Sequence, residues 1–115
     1  MRRGDVIRFD IPPRPGEHAR EQHGERPAIV IQENTSAANL ATVVIVPVTS
    51  VMTALRFAGA VRLSPTRTNG LTAESVALVH QVRAIDKSKS QGIAGRLSSP
   101  ELQAVEDSLR SLLAL

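Results

Sequence analysis

The chain has 115 residues, no cysteine and a formal net charge of +3, with 14 Lys and Arg against 11 Asp and Glu. This length suits one domain over residues 1–115, and the absence of cysteine excludes disulfides and thiolate metal sites. The histidines at 18, 23 and 80 follow no zinc-binding spacing, so we expect no metal. Aromatic residues make up only 2% of the chain, which disfavours a base-stacking platform.

The chain also lacks the sequence signals of a membrane or secreted protein. No apolar run approaches the roughly 20 residues that a membrane-spanning helix needs. The polar start MRRGD lacks the apolar stretch of a secretory signal. We therefore expect a cytoplasmic protein with no membrane partner.

The first half of the chain predicts three strands. In GDVIRFDI, apolar Ile7, Phe9 and Ile11 alternate with polar residues, which is typical of a half-buried strand. Residues 12–25 are rich in proline and charge and predict a long exposed loop. The β-branched runs PAIVIQ and TVVIVPV, at 27–32 and 42–48, predict two central strands joined by a loop or short turn.

The next part of the chain predicts shorter elements. We expect a helical turn over 51–55, a strand near 58–63 and a polar loop over 64–70. The alternation in residues 74–83 predicts a strand with Val76, Leu78, His80 and Val82 on one face. A brief strand over 93–97 follows the polar piece DKSKSQG.

The C-terminal LSSPELQAVEDSLRSLLAL predicts a helix. Ser98 or Ser99 can cap its first turn, Pro100 fits that turn, and Glu101 favours its positive end. The apolar residues at helical spacing should pack on a sheet; they are Leu102, Val105, Leu109, Leu112 and Leu113. The fold class expected is mainly β (β-rich α+β), a small barrel or strongly twisted antiparallel sheet closed by a C-terminal α-helix.

Positive charge is concentrated in one part of the chain. Residues 56–96 hold seven basic residues against two acidic ones, a surplus of five. Folded onto one face, this segment would attract a polyanion such as a nucleic acid. A solubilising surface with no such partner explains the same charge equally well.

Polar residues at the ends of two predicted strands form a candidate phosphate site. If the strands at 27–32 and 42–48 pair antiparallel, Arg26 and Thr49 become neighbours at one end of the sheet. A guanidinium beside a hydroxyl suits a phosphate and stabilises charge that develops during phosphoryl transfer. Structural roles stay open: Arg26 can pair with Glu21 or Glu25, and the residues after the second strand can form only a turn.

Five segments, taken in order, resemble the MazF/PemK family of toxin endoribonucleases along nearly the whole chain. They are RRGDVIRFDI, EQHGERPAIVIQEN, VVIVPVTS, SVALVHQVRAIDKS and GRLSSPELQAVEDSL. The resemblance implies an SH3-like twisted barrel that dimerises. It further implies sequence-specific, ribosome-independent cleavage of single-stranded mRNA without metal or cofactor. It also implies a cognate antitoxin whose acidic tail occupies the RNA groove.

The resemblance also implies roles for individual residues. Arg26 and Thr49 match catalytic residues of the family, and His80 stands where the family commonly has an acid. Because its unperturbed pKa lies near neutrality, His80 is a third catalytic candidate, as a proton carrier. The candidate RNA-binding residues are Arg14, Arg20, Glu21, Gln22, Ser50 and Gln81.

Two alternatives on the same fold remain at this point. One is a noncatalytic binder similar to the gyrase poisons, which act through the terminal helix. The other is a degenerate homologue that binds RNA without cutting it, since Leu78 stands where some members have an arginine and His80 where the family commonly has an acid. The terminal LRSLLAL suggests core packing, which argues against the first alternative.

Overall fold

The computed structural model describes residues 1–11 and 24–115 and contains seven strands and two α-helices in this range. The strands are β1 (Asp5–Ile11), β2 (Gly24–Val30), β3 (Thr42–Thr49), β4 (Val61–Leu63), β5 (Ser75–Ala77), β6 (Arg83–Asp86) and β7 (Ser90–Arg96). The helices are α1 (Asn34–Asn39) and α2 (Ser99–Leu113). Short 3₁₀ helices span Met52–Arg56, Val79–Gln81 and Lys87–Lys89.

The strands form an antiparallel sheet in the order β4-β5-β3-β2-β1-β7, and β6 also pairs with β3. From Ile7 to Ile11, alternate residues of β1 are buried, as the sequence pattern predicts. The expected mainly β fold with a C-terminal helix is therefore confirmed. Within the described residues, no helix is long and apolar enough to cross a membrane.

Apolar layers cover both faces of the central strands. One layer contains Val6 of β1 and Ile29 of β2, and Val105 of α2 packs into it. The other contains Phe9 of β1 and Val30 of β2, both completely buried. Because successive strand residues point to opposite faces, each central strand contributes to both layers.

Strand β2 begins earlier than predicted, at Gly24, so Arg26 lies inside the strand and not before it. The prediction of 27–32 was wrong because it followed the apolar run. Pairing with β1 continues outward to Gly24, opposite Ile11, since backbone hydrogen bonds need no apolar side chain. The segment after β2 also differs from the expected loop or turn: it contains α1, capped by the Glu33 carboxylate, which accepts hydrogen bonds from two backbone N–H groups.

The single strand predicted over 74–83 is wrong. The chain forms β5, then the 3₁₀ turn Val79–Gln81 of three residues, then β6. Both strands pair with β3, β5 at its Thr49 end and β6 at its Thr42 end. His80 lies in this turn and therefore on no strand face, although Val76 and Leu78 do share one apolar cluster.

Helix α2 begins as predicted but buries less of its apolar face than expected. Ser98 and Glu101 form a capping box, in which each side chain accepts a hydrogen bond from the other residue's backbone N–H. Val105 is fully buried, whereas Leu112 and Leu113 are 38% and 51% exposed. The expectation that the final leucines pack in the core was therefore wrong, because the helix extends beyond the apolar layer that Val105 joins.

Polar contacts connect the first five residues to strand β7 and helix α2. The Asp5 side chain is almost buried and accepts a hydrogen bond from Arg96 Nη1 at 2.7 Å and from the Arg2 backbone N–H at 2.7 Å. Arg3 donates through Nε to Glu106 of α2 at 2.6 Å. These contacts connect the start of the chain to β7 and to α2 and stabilise this arrangement, since breaking one leaves a partner unsatisfied.

Candidate active site

The pairing of β2 with β3 brings the predicted phosphate-binding residues together. Ala28 lies opposite Pro47 and Ile29 opposite Val46. The pairing ends at Ala28 and Pro47; continued outward by two residues, the same register would place Arg26 opposite Thr49, as the antiparallel pairing predicts. The relative position of the two side chains is therefore set by two central strands.

A cavity of about 210 Å³ opens at this end of the sheet. Its polar and charged lining includes Arg8, Glu25, Arg26, Thr49 and Ser50. The loop after β4, at 70–73, contributes a further part of the wall. Gly70 has a φ of +71°, and an added Cβ would collide with the Ala94 carbonyl, so only glycine lets the two backbones approach this closely.

The side chains of Arg26 and Thr49 differ in their exposure and in their hydrogen bonds. Arg26 is exposed, and its side chain makes no hydrogen bond or ion pair within the part of the chain that the structure describes. Within that part of the chain, no group competes with an anion for its guanidinium. Thr49 is only 3% exposed, and its Oγ1 accepts a hydrogen bond from the Val51 backbone N–H at 3.2 Å. The Thr49 hydroxyl hydrogen remains available for donation.

An ion pair lies beside these residues. Arg8 donates through Nε to Glu25 Oε1 at 3.3 Å, and both side chains are substantially exposed. Arg8 lies opposite Pro27 in the register of β1 with β2, which places its side chain next to that of Glu25. The cavity therefore presents two guanidinium groups and one carboxylate.

His80 is not among the residues that line this cavity. It lies on the 3₁₀ turn before β6, where its ring packs on Phe57 with centroids 4.9 Å apart. Nδ1 is buried and has no hydrogen-bond partner among the described residues, and burial lowers the pKa of the imidazole. The structure therefore does not bring His80 together with Arg26 and Thr49.

The other candidates fall into two groups. Ser50 lines the cavity, whereas Gln81 lies beside His80, with Nε2 3.4 Å from the imidazole Nε2. The remaining four candidates, Arg14, Arg20, Glu21 and Gln22, lie outside the described residues. Within residues 1–11 and 24–115, no group of three His, Cys, Asp or Glu side chains is placed to hold a metal ion.

Sequence reasoning missed Arg8 as a lining residue and considered Glu25 only as a partner for Arg26. The alternation of β1 does indicate that Arg8 points away from Phe9. Its neighbour across the sheet follows only from the register, which pairs Arg8 with Pro27. No local pattern contains that information, because the two strands are separated by the long segment after β1.

The fold is mainly β and is closed by a terminal helix, and an arginine and a threonine on paired strands lie beside a cavity. These features define the class of small β-sheet proteins with a candidate anion-binding site. The model of the PemK-like, MazF-like toxins of type II toxin–antitoxin systems matches residues 2–113, and the chain belongs to this family. The resemblance seen in the sequence is therefore confirmed.

Individual relatives agree with this assignment. The chain is 30% identical over 115 residues to the endoribonuclease MazF of Staphylococcus saprophyticus, covering 100% of this chain and 92% of the relative. The crystal structure of MazF from Deinococcus radiodurans superposes with a TM-score of 0.80 at 24% identity, covering 100% and 97% of the two chains. A MazE–MazF structure from the same organism gives a TM-score of 0.74 at 26% identity, covering 100% and 96%.

Proposed function

We propose that this protein is a toxin endoribonuclease that cleaves single-stranded mRNA at specific sequences, independently of ribosomes and metal ions. The observation that carries the proposal is that Arg26 and Thr49 line one cavity, in a chain of the PemK/MazF family. The similarity to an endoribonuclease MazF supports the same reaction class.

The proposed reaction uses the nucleophile that RNA itself carries. The 2′-hydroxyl oxygen attacks the adjacent phosphorus, the bond from phosphorus to the 5′ oxygen breaks, and a 2′,3′-cyclic phosphate forms. The 2′-hydroxyl loses its proton to a base, and the leaving 5′ oxygen gains one and becomes a hydroxyl. The protein then needs to orient the phosphate, stabilise charge on its oxygens and move protons.

Arg26 and Thr49 suit the first two of these tasks. The guanidinium of Arg26, which has no partner among residues 1–11 and 24–115, has the fork geometry that binds two phosphate oxygens, and it stabilises the charge that develops on them. Thr49 donates its hydroxyl hydrogen to the same phosphate and is held in place by the bond it accepts from Val51. Ser50, at the exposed end of the strand, contributes a further hydrogen bond.

The position of His80 favours a packing role over the proton-carrier role that the sequence suggested. Its ring contacts Phe57, and it does not line the cavity. We propose that the candidates outside the described residues, which are Arg14, Arg20, Glu21 and Gln22, bind RNA together with Gln81.

We further propose two protein partners. The first is a second copy of the chain, supported by the apolar surface that Leu112 and Leu113 expose at the end of α2. The second is a cognate antitoxin, supported by the MazE–MazF structure of the Deinococcus relative. The basic surplus in residues 56–96 suits an acidic antitoxin tail that competes with RNA.

The proposal is tested by incubating the purified protein with a long RNA in the presence of EDTA. Discrete cleavage sites are expected, with 5′-hydroxyl and 2′,3′-cyclic phosphate ends, or a 3′-phosphate after hydrolysis. Fragments that carry 5′-phosphates would contradict the mechanism. Binding of RNA without cleavage would instead identify a noncatalytic RNA-binding protein. Inhibition of gyrase with neither RNA binding nor RNA cleavage would identify a gyrase poison.

A further inference from the structure

The ion pair between Arg8 and Glu25 has no role in the reaction described above. The two residues line the same cavity as Arg26 and Thr49, with Arg8 Nε 3.3 Å from Glu25 Oε1. A carboxylate in a phosphate site repels the substrate, so its presence there requires a reason. A contribution to stability does not explain the ion pair, because exposed ion pairs add little to the free energy of folding.

The backbone separates this pair from the phosphate-binding residues. Glu25 and Arg26 are successive residues of β2, so their side chains start on opposite faces of the strand. In the register with β1, Arg26 lies opposite Phe9, whereas Arg8 lies opposite Pro27. Glu25 and Arg26 therefore reach the one cavity from different faces of β2, so a phosphate on Arg26 would leave room beside Glu25 for a neighbouring nucleotide.

Each member of the pair keeps hydrogen-bonding groups for a ligand. In the part of the chain that the structure describes, Arg8 uses only Nε and Glu25 only Oε1. Glu25 Oε2 is left as an acceptor, and the two terminal nitrogens of Arg8 are left as donors. An acceptor beside donors complements a base edge on which an amino group lies next to a ring nitrogen or carbonyl.

We propose that Glu25 and Arg8 form a base-reading subsite, in which Glu25 selects a base with an exocyclic amino group next to the cleaved bond. This inference rests on the proposed nuclease function. Carboxylates accept hydrogen bonds from base amino groups, and single-stranded RNA exposes these edges to proteins. Guanine, cytosine and adenine carry such a group, and uracil does not.

The test is to sequence the cleavage products of a randomised RNA library. With the unaltered protein, one position adjacent to the cleaved bond should exclude uracil by about tenfold or more. In Glu25→Gln, whose amide both donates and accepts, this exclusion should fall several-fold at that position alone. Arg8→Gln should change the preference at the same position.

Asp107→Asn is a matched control for Glu25→Gln. Asp107 pairs with Arg110 at the same distance of 3.3 Å, is similarly exposed and does not line the cavity. This variant should cleave with an unaltered base profile.

Three results would overturn the subsite. An unaltered protein with no base preference beside the cleaved bond would do so. A Glu25→Gln variant that cleaves every site faster or slower with an unchanged profile would show a purely electrostatic effect. An unaltered protein that fails to cleave any RNA refutes the proposed nuclease and the subsite with it, whereas the first two results refute the subsite alone.

Discussion

Replacing Arg26 with alanine should slow RNA cleavage and leave the free energy of unfolding almost unchanged. The side chain is exposed and makes no hydrogen bond or ion pair within residues 1–11 and 24–115, so its loss should change the free energy of unfolding by about 0.5 kcal/mol or less. Removing one preorganised donor from a developing oxyanion typically costs about 10²- to 10³-fold in rate, or roughly 2.7–4 kcal/mol. We therefore expect cleavage to fall by at least about 100-fold in a protein that remains folded.

Two further variants test the explanation. Arg26→Lys keeps the charge and loses the two-pronged geometry, so its rate should lie between those of the original protein and Arg26→Ala. Arg110→Ala removes the same charge from the exposed surface of α2, away from the cavity, and should cleave at the original rate.

The assay is the initial rate on a fluorogenic RNA oligonucleotide, together with urea unfolding of each variant. Cleavage by Arg26→Ala within about tenfold of the original rate, with an unchanged unfolding midpoint, would refute the role of Arg26. A large loss of stability would instead show that Arg26 supports the fold.

Three other outcomes are expected. Asp5→Ala should lower the free energy of unfolding by about 2 kcal/mol in urea titrations, because Arg96 and a backbone N–H lose their acceptor; a change below about 0.5 kcal/mol would contradict this. Burial lowers the pKa of His80, so the unfolded chain binds this proton more readily, and stability should fall as the pH drops below about 6.5. In His80→Phe, which keeps an aromatic ring against Phe57, that part of the pH dependence should disappear from unfolding curves; an unchanged pH dependence would argue against a buried neutral imidazole. Cleavage should be unaffected by EDTA, and loss of activity that Mg²⁺ restores would contradict the metal-independent mechanism.

The sequence predicts the parts of this protein that depend on local pattern. The apolar alternation of β1 and the capping residues of α2 can be recognised in the sequence itself. The proximity of Arg26 and Thr49 follows from one assumption, that two neighbouring apolar strands pair antiparallel. This part of the candidate site therefore needed no knowledge of distant contacts.

The sequence did not predict the features that depend on contacts between residues far apart in the chain. The 3₁₀ turn at Val79–Gln81 fits the alternating pattern of a strand, and only the pairing of β5 and β6 with different parts of β3 explains it. The same turn moves His80 away from the position that the strand prediction gave it. Glu25 gained its place beside Arg8 through the register of β1 with β2, which the sequence does not encode locally.

The position of Thr49 has a consequence for how the protein loses activity. Thr49 is the last residue of β3, and this strand is hydrogen-bonded to β2, β5 and β6. The amide hydrogens at the centre of β3, where β2 and β6 both pair with it, should exchange with solvent mainly through opening of the whole molecule. Heat inactivation and global unfolding should then occur at the same temperature.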